Sequence, residues 1–144
     1  GLNLINHSGR VNQEVVGAIT VKGGAGITLE RNGGSGQMVL STPSITRATG
    51  ATLSIRPTSS STEFGTVALQ SSRLLVTGGG PELTMTNGIV APWMVDMQNR
   101  NFLNYDNALG FGVAAFQNGT PVAGSGDAFL STFTGTEIVR FQKS

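Results

Sequence analysis

The chain has 144 residues, a formal net charge of +1 and only 12% charged residues. A nearly neutral chain without a basic run lacks the field that steers proteins to nucleic acid, so we expect no nucleic-acid partner. The absence of cysteine excludes disulfides, thiolate metal sites and cysteine nucleophiles. No apolar run approaches the roughly 20 residues of a membrane span, so we expect no membrane insertion by this segment.

Short runs of alternating apolar and polar residues recur along the chain. A period of two predicts half-buried strands, and no window has the i, i+3, i+4, i+7 stripe of a helix, so we expect little or no helix. The predicted strands contain Leu2–Leu4, Ile19–Val21, Ile27–Leu29, Met38–Leu40, Leu53–Ile55, Val67–Leu69 and Leu83–Met85.

Clusters of glycine, asparagine and serine separate these runs, and such residues suit tight corners. Many short strands are compatible with an antiparallel sandwich or barrel, or with a coil of parallel strands. Strands of the form Gly-x-Ile/Leu recur, and matched strands around an Asn-Gly turn are scarce, which favours the parallel coil. At roughly 20 to 25 residues per turn, a parallel β-helix of this length has about six turns. The predicted corners are Gly23–Gly26, Asn32–Gly36, Ser59–Ser61 and Gly78–Pro81.

Several motifs follow one another in the order of a known repeat. The run Leu40–Ile55 contains an arginine and then Gly-Ala-Thr, and Leu83–Val90 contains Thr-Asn-Gly-Ile and precedes Trp93. Asn101–Asp106 and Gly112-Val113 supply the later steps. Over about residues 37–116 the chain resembles the autotransporter-associated β-strand repeat family. The resemblance implies a right-handed parallel β-helix in a large secreted or surface-displayed bacterial protein, often with no known activity.

Three aromatic residues, Trp93, Phe102 and Tyr105, are the candidate ligand-binding residues. Aromatic faces stack on pyranose rings, so the three could form a sugar-binding platform. The alternative is that the stretch from Pro92 to Tyr105 crosses a face of the fold and buries Trp93. The resemblance favours burial, because the same aromatics recur in the family without a common ligand.

Metal and cofactor sites are not expected. The stretch 96–107 is rich in oxygen donors, but it has only two carboxylates, Asp96 and Asp106, and lacks the EF-hand spacing, so we interpret it as turns. The segment Gly124–Phe129 is a single imperfect copy of a glycine-rich calcium repeat, which needs stacked copies. The asparagines of the oxygen-rich stretch are Asn99, Asn101, Asn104 and Asn107.

No catalytic constellation is present in the sequence, so we expect no enzyme and no catalytic residues. The single histidine, His7, lies in a predicted turn, and no Gly-x-Ser-x-Gly elbow occurs. The acidic residues do not recur at a common interval with a shared local motif; they are Glu14, Glu30, Glu63, Glu82, Asp96, Asp106, Asp127 and Glu137.

These observations predict a structural or adhesive β-helix scaffold at the bacterial cell surface. Residues 1–144 are expected to be a single β-solenoid segment of a longer chain or of a stacked assembly, with copies joining end to end into a fibre. One alternative is a polysaccharide-binding module with a surface glycan as partner. Another is a phage tail-fibre or tailspike segment, which would be an intertwined trimer.

Overall fold

The computed structural model describes residues 1–7, 9–31, 36–57, 64–66, 71–98 and 100–115, and the backbone of 117–118 and 139–140. The described residues form thirteen short strands, and the only helical segment among them is a single 3-10 turn, Pro81–Leu83. The prediction of an all-β chain with little or no helix is confirmed. The strands are β1 (Leu2–Asn6), β2 (Val11–Val15), β3 (Ile19–Val21), β4 (Gly24–Arg31), β5 (Gln37–Thr42), β6 (Ile45–Arg47), β7 (Thr52–Pro57), β8 (Ser72–Val76), β9 (Met94–Asp96), β10 (Asn101–Asp106), β11 (Gly110–Val113), β12 (Gln117–Asn118) and β13 (Val139–Arg140).

Parallel pairing joins the strands from β1 to β9, and it also joins β12 to β13. One sheet contains β1, β4, β7 and β9 in that order, a second contains β2, β5 and β8, and a third contains β3 and β6. In the first sheet Leu2 is in register with Ile27, and Ile27 with Ile55. Because alternate residues of a strand point to the same side, this register aligns the inward side chains of neighbouring strands.

The aligned inward residues form one apolar core. Leu29, Leu40, Ile55, Leu74 and Met94 are completely shielded from solvent and belong to the same cluster. They come from strands of two sheets, so the core fills the space between the parallel ladders. Burial of these aliphatic side chains is the main favourable contribution to folding.

The strand direction changes after β9. Strand β10 runs antiparallel to β9, and β11 runs antiparallel to β10. Arg100 has a φ of 56° in the first reversal, and Gly110 has a φ of 82° at the end of the second. A residue at positive φ redirects the backbone sharply. After each of these two turns the next strand pairs antiparallel to the strand before it.

The predicted six-turn right-handed parallel β-helix is therefore wrong. The sheets are short and mix parallel with antiparallel pairs. The interval between paired residues is also irregular: 25 for Leu2 and Ile27, 28 for Ile27 and Ile55, and 41 for Leu53 and Met94. The resulting fold is a mixed-sheet all-β structure and not a regular solenoid.

Two local predictions also differ from the structure. The alternation predicts a strand at Leu83–Met85, but Pro81 begins a 3-10 turn that includes Leu83. Gly24 and Gly26 belong to a predicted corner, but both lie inside β4. Proline fixes φ and lacks an N–H, which suits the first turn of a helix, whereas glycine adopts any extended conformation that its partner strand requires. The predicted strand at Val67–Leu69 lies outside the described residues.

We expect Ile55→Ala to lower the free energy of unfolding by about 2–5 kcal/mol, because it leaves a cavity in a fully buried position of the central ladder. Val15→Ala is the matched control, since Val15 is 80% exposed and its truncation should change stability by less than about 0.5 kcal/mol. Urea unfolding followed by circular dichroism measures both. Equal effects of the two substitutions would contradict this description of the core.

Backbone strain at positive φ alone should make Gly110→Ala destabilising by about 1–3 kcal/mol. We expect a larger total loss of stability, because the added Cβ would also collide with the carbonyl oxygen of Leu74. Gly50→Ala separates the two causes, since Gly50 has a φ of 76° and a Cβ atom added there would meet no atom within 4 Å. Thermal unfolding should place Gly110→Ala well below Gly50→Ala. The opposite order would exclude close packing of β11 on β8.

Candidate functional site

Strand β10 and the residues before β9 hold the three aromatic residues singled out in the sequence. Phe102 and Tyr105 both lie on β10, but the strand alternation sends them to opposite sides. Tyr105 is 7% exposed and Phe102 is 44% exposed. Trp93 precedes β9 and is 6% exposed. Two of the three rings are therefore inside the protein, and the third lies on its surface.

Trp93 is held by contacts on its edge and on its face. Its indole Nε1 donates a hydrogen bond to the Glu82 carboxylate at 3.0 Å. The Arg47 guanidinium lies 5.5 Å from the ring centroid, at cation–π distance. The 3-10 turn supplies Glu82, and β6 supplies Arg47, so Trp93 joins three separate segments. These contacts give the ring a structural role.

Tyr105 joins β10 to the edge strand β8. Its hydroxyl donates to the carbonyl oxygen of Val76 at 3.1 Å and accepts from the amide of Val76 at 2.8 Å. Its ring meets Phe111 edge to face, with centroids 4.9 Å apart. The hydroxyl thus satisfies both backbone groups of Val76 at the end of β8, a strand that among the described strands pairs only with β5.

The oxygen-rich stretch 96–107, which was predicted to form turns, is largely strand. Asp96 ends β9, and Asn101, Asn104 and Asp106 lie in β10. One oxygen of Asp96 accepts from the amide of Gln98 at 2.8 Å. One oxygen of Asp106 accepts from the amides of Ala108 and Leu109 at 2.8 and 2.9 Å. Aspartate commonly stabilises a turn in this way, and the two residues close the reversals before and after β10.

The described residues contain no group of three or more histidines, cysteines, aspartates or glutamates that could hold a metal ion. Glu82 is engaged by Trp93, and His7 is exposed beyond the end of β1. The carboxylates of Glu63, Asp127 and Glu137 lie outside the described residues, as does Asn99.

A second candidate surface is the free edge of the first three strands. Each of β1, β2 and β3 is the terminal strand of its sheet, and each pairs on one side only within the described part of the chain. Connections 7–10 and 16–18 join the three strands in sequence. We call the combined free edges of β1, β2 and β3 the open rim. Every second residue of such an edge presents an unpaired N–H and C=O.

The open rim combines exposed apolar side chains with polar ones at inward positions. Ile5 and Val11 are 58% and 54% exposed, and Val15 is more exposed still. Asn12 is in register with buried Met38, and Glu14 with buried Leu40. Strand β2 is not predicted from the sequence, because these polar residues remove the alternation by which a strand is recognised. The only signal available is the pair of valines at its two ends.

Comparisons with known proteins found no matching family model, no similar curated protein and no similar solved structure. The resemblance to the autotransporter-associated repeat therefore stays a prediction. Among the described residues, no helix is both long and apolar enough to cross a membrane.

We expect Tyr105→Phe to lower the free energy of unfolding by about 1–3 kcal/mol, since it leaves the buried N–H and C=O of Val76 without their partner. Phe102→Leu is the control, because it changes an exposed ring on the other side of the same strand. Chemical denaturation measures both. A Tyr105→Phe variant as stable as the wild type would mean that the hydroxyl does not fix β10 to β8.

Proposed function

We propose that this chain is a structural and adhesive module of an extracellular bacterial surface protein, and that it associates with a second copy of itself through the open rim. The observation that carries the proposal is the set of three consecutive strands whose outer edges have no partner among the described residues. The module acts by presenting a rigid β surface and has no catalytic role in this proposal.

The rim has some of the features by which proteins protect a free strand edge and lacks others. Natural edges are protected by proline, lysine, inward-pointing charges, very short strands, bulges or a covering segment. The rim has an inward-facing charge at Glu14 in β2 and only three residues in β3. Residues 1–22 contain no proline, and their only lysine, Lys22, follows the last rim strand. Exposed Val11 and Val15 lie at the two ends of β2. An edge of this kind favours pairing with another extended chain.

Charge complementarity favours a second copy as that partner. In a two-fold symmetric pair, β2 of one copy meets β2 of the other in antiparallel orientation. If the axis passes through Asn12, Arg10 of each copy lies opposite Glu14 of the other. Opposite charges facing each other across strands stabilise pairing by about 0.2–1 kcal/mol for each pair, and this arrangement contains two such pairs.

The extracellular location is proposed from composition and resemblance. The surface polarity comes mainly from hydroxyl and amide side chains and little from charge, since charged residues are only 12% of the chain. A β-rich domain of this kind displays side chains at fixed spacing along its strands, which is what a surface scaffold or adhesin requires.

We expect the wild-type chain to sediment as a dimer at micromolar concentration and the double variant Val11→Lys, Val15→Lys to sediment as a monomer. Lysines on an edge strand must be desolvated when the edge pairs, so they disfavour association. Met97→Lys is the control, because Met97 is exposed but lies after β9, away from the rim.

A wild-type chain that remains monomeric at high concentration would contradict the proposed self-association, and so would a double variant that dimerises like the wild type. A trimeric mass would favour the tail-fibre alternative instead. The measurement is sedimentation equilibrium, accompanied by circular dichroism to establish that each variant is folded.

A further inference from the structure

A trough with polar and apolar walls lies beside the outward side of β10. Its volume is about 310 Å³, at the lower end of the range of about 300–1,000 Å³ that is typical of ligand sites. The trough lies away from the open rim and contains none of its residues. Its walls include Thr66, Asn104, Asp106, Leu109, Gly112 and Val113.

Glycines in and beside β11 create the space. Gly112 is in register with Asn104 across the β10–β11 ladder. A Cβ atom at Gly112 would lie 2.8 Å from the side-chain oxygen of Asn104, so any larger residue would displace that amide. Gly65 packs against the backbone of Phe111 so closely that a Cβ there would lie 2.6 Å from its carbonyl oxygen. The absence of these side chains opens the trough and keeps its backbone walls close together.

Three polar side chains of the trough retain unused hydrogen-bonding capacity. The hydroxyl of Thr66 is buried and has no partner. The Asn104 amide makes no side-chain hydrogen bond within the described residues, and only one oxygen of Asp106 is used by the turn amides. Only the Thr66 hydroxyl is buried, and it lacks the partner that buried polar groups normally have. Asn104 is half-buried and Asp106 is exposed, so both side chains are open to a ligand that enters the trough.

An exposed aromatic ring continues the same side of the strand. Phe102, Asn104 and Asp106 alternate along β10 and point outward, whereas Leu103 and Tyr105 are buried. Residues two apart on a strand are separated by about 7 Å. The Phe102 ring therefore lies about one sugar unit from the trough.

The chemistry of these groups selects against ions. A calcium ion takes six to eight oxygen ligands, and Asp106 is the single carboxylate among the described residues of the trough. The same carboxylate disfavours anions, and the part of the wall that the structure describes contains no lysine, arginine or histidine. The Asn104 amide and the Asp106 carboxylate together donate and accept hydrogen bonds, which matches a ligand whose own groups do both.

We propose that the trough and Phe102 form a binding site for a neutral oligosaccharide. One sugar unit places its hydroxyls on Asn104 and Asp106, and the next unit stacks its apolar face on the Phe102 ring. The two contacts span adjacent units, so a linear oligosaccharide binds more tightly than a monosaccharide. Of the aromatic residues predicted from the sequence, only Phe102 takes part.

The test is calorimetric titration of the full chain with linear neutral hexasaccharides of glucose, mannose, galactose and N-acetylglucosamine. We expect at least one to bind, and Phe102→Leu and Asn104→Ala each to weaken that binding about tenfold, the equivalent of about 1.4 kcal/mol. Gly112→Ala should abolish binding by displacing the amide, while Phe102→Trp should keep it by preserving a stacking ring.

Gly24→Ala is the control for the glycine substitution, because the nearest atom to a Cβ added at Gly24 would be 4.0 Å away. This control and Val15→Lys in the rim should bind the saccharide like the wild type, so the result is independent of self-association. Circular dichroism establishes folding of each variant. The proposal is overturned if no hexasaccharide binds, if binding survives Gly112→Ala, or if calcium alone binds at the trough and is lost in Asp106→Asn.

Discussion

The register between parallel strands is the constraint on which the rest of this fold depends. When Leu2, Ile27 and Ile55 occupy equivalent positions in successive strands, their side chains lie on the same side of the sheet and pack against the inward residues of the second sheet. A shift of one residue would turn each apolar side chain outward and expose the whole set. The buried aliphatic cluster therefore holds the ladders together and fixes their register at the same time.

The antiparallel strands after β9 depend on that core but are attached to it by polar contacts. Tyr105 bonds both backbone groups of Val76, and Trp93 is held between Glu82 and Arg47. These side-chain bonds supply partners at positions where the change of strand direction interrupts regular pairing. A buried aromatic with a polar group suits this position, because its ring adds to the core while its hydroxyl or N–H completes the hydrogen bonding.

The two proposed binding surfaces arise from different features of the same fold. The open rim exists because the sheets of the described residues end at β1, β2 and β3, and it offers the outer edges of these strands to an extended chain. The trough exists because Gly112 faces Asn104, and it offers side-chain groups to a hydroxyl-rich ligand. The trough contains no residue of the rim, so a pair of copies joined through the rim would present two saccharide sites and gain avidity from them.

Alternation of apolar residues was enough to predict an all-β chain and the strands that contain Ile19–Val21, Ile27–Leu29, Met38–Leu40 and Leu53–Ile55, because period two is a local property of a half-buried strand. Direction and pairing partner are not local. They are decided by where the chain reverses, here at Arg100 and Gly110, and by side chains distant in sequence that complete the hydrogen bonds, as Tyr105 does for Val76. The same limit applies to the binding surfaces. The sequence singled out Phe102 as an aromatic residue, but only the tertiary structure exposes its ring, buries Trp93 and Tyr105, and places Asn104 across from Gly112.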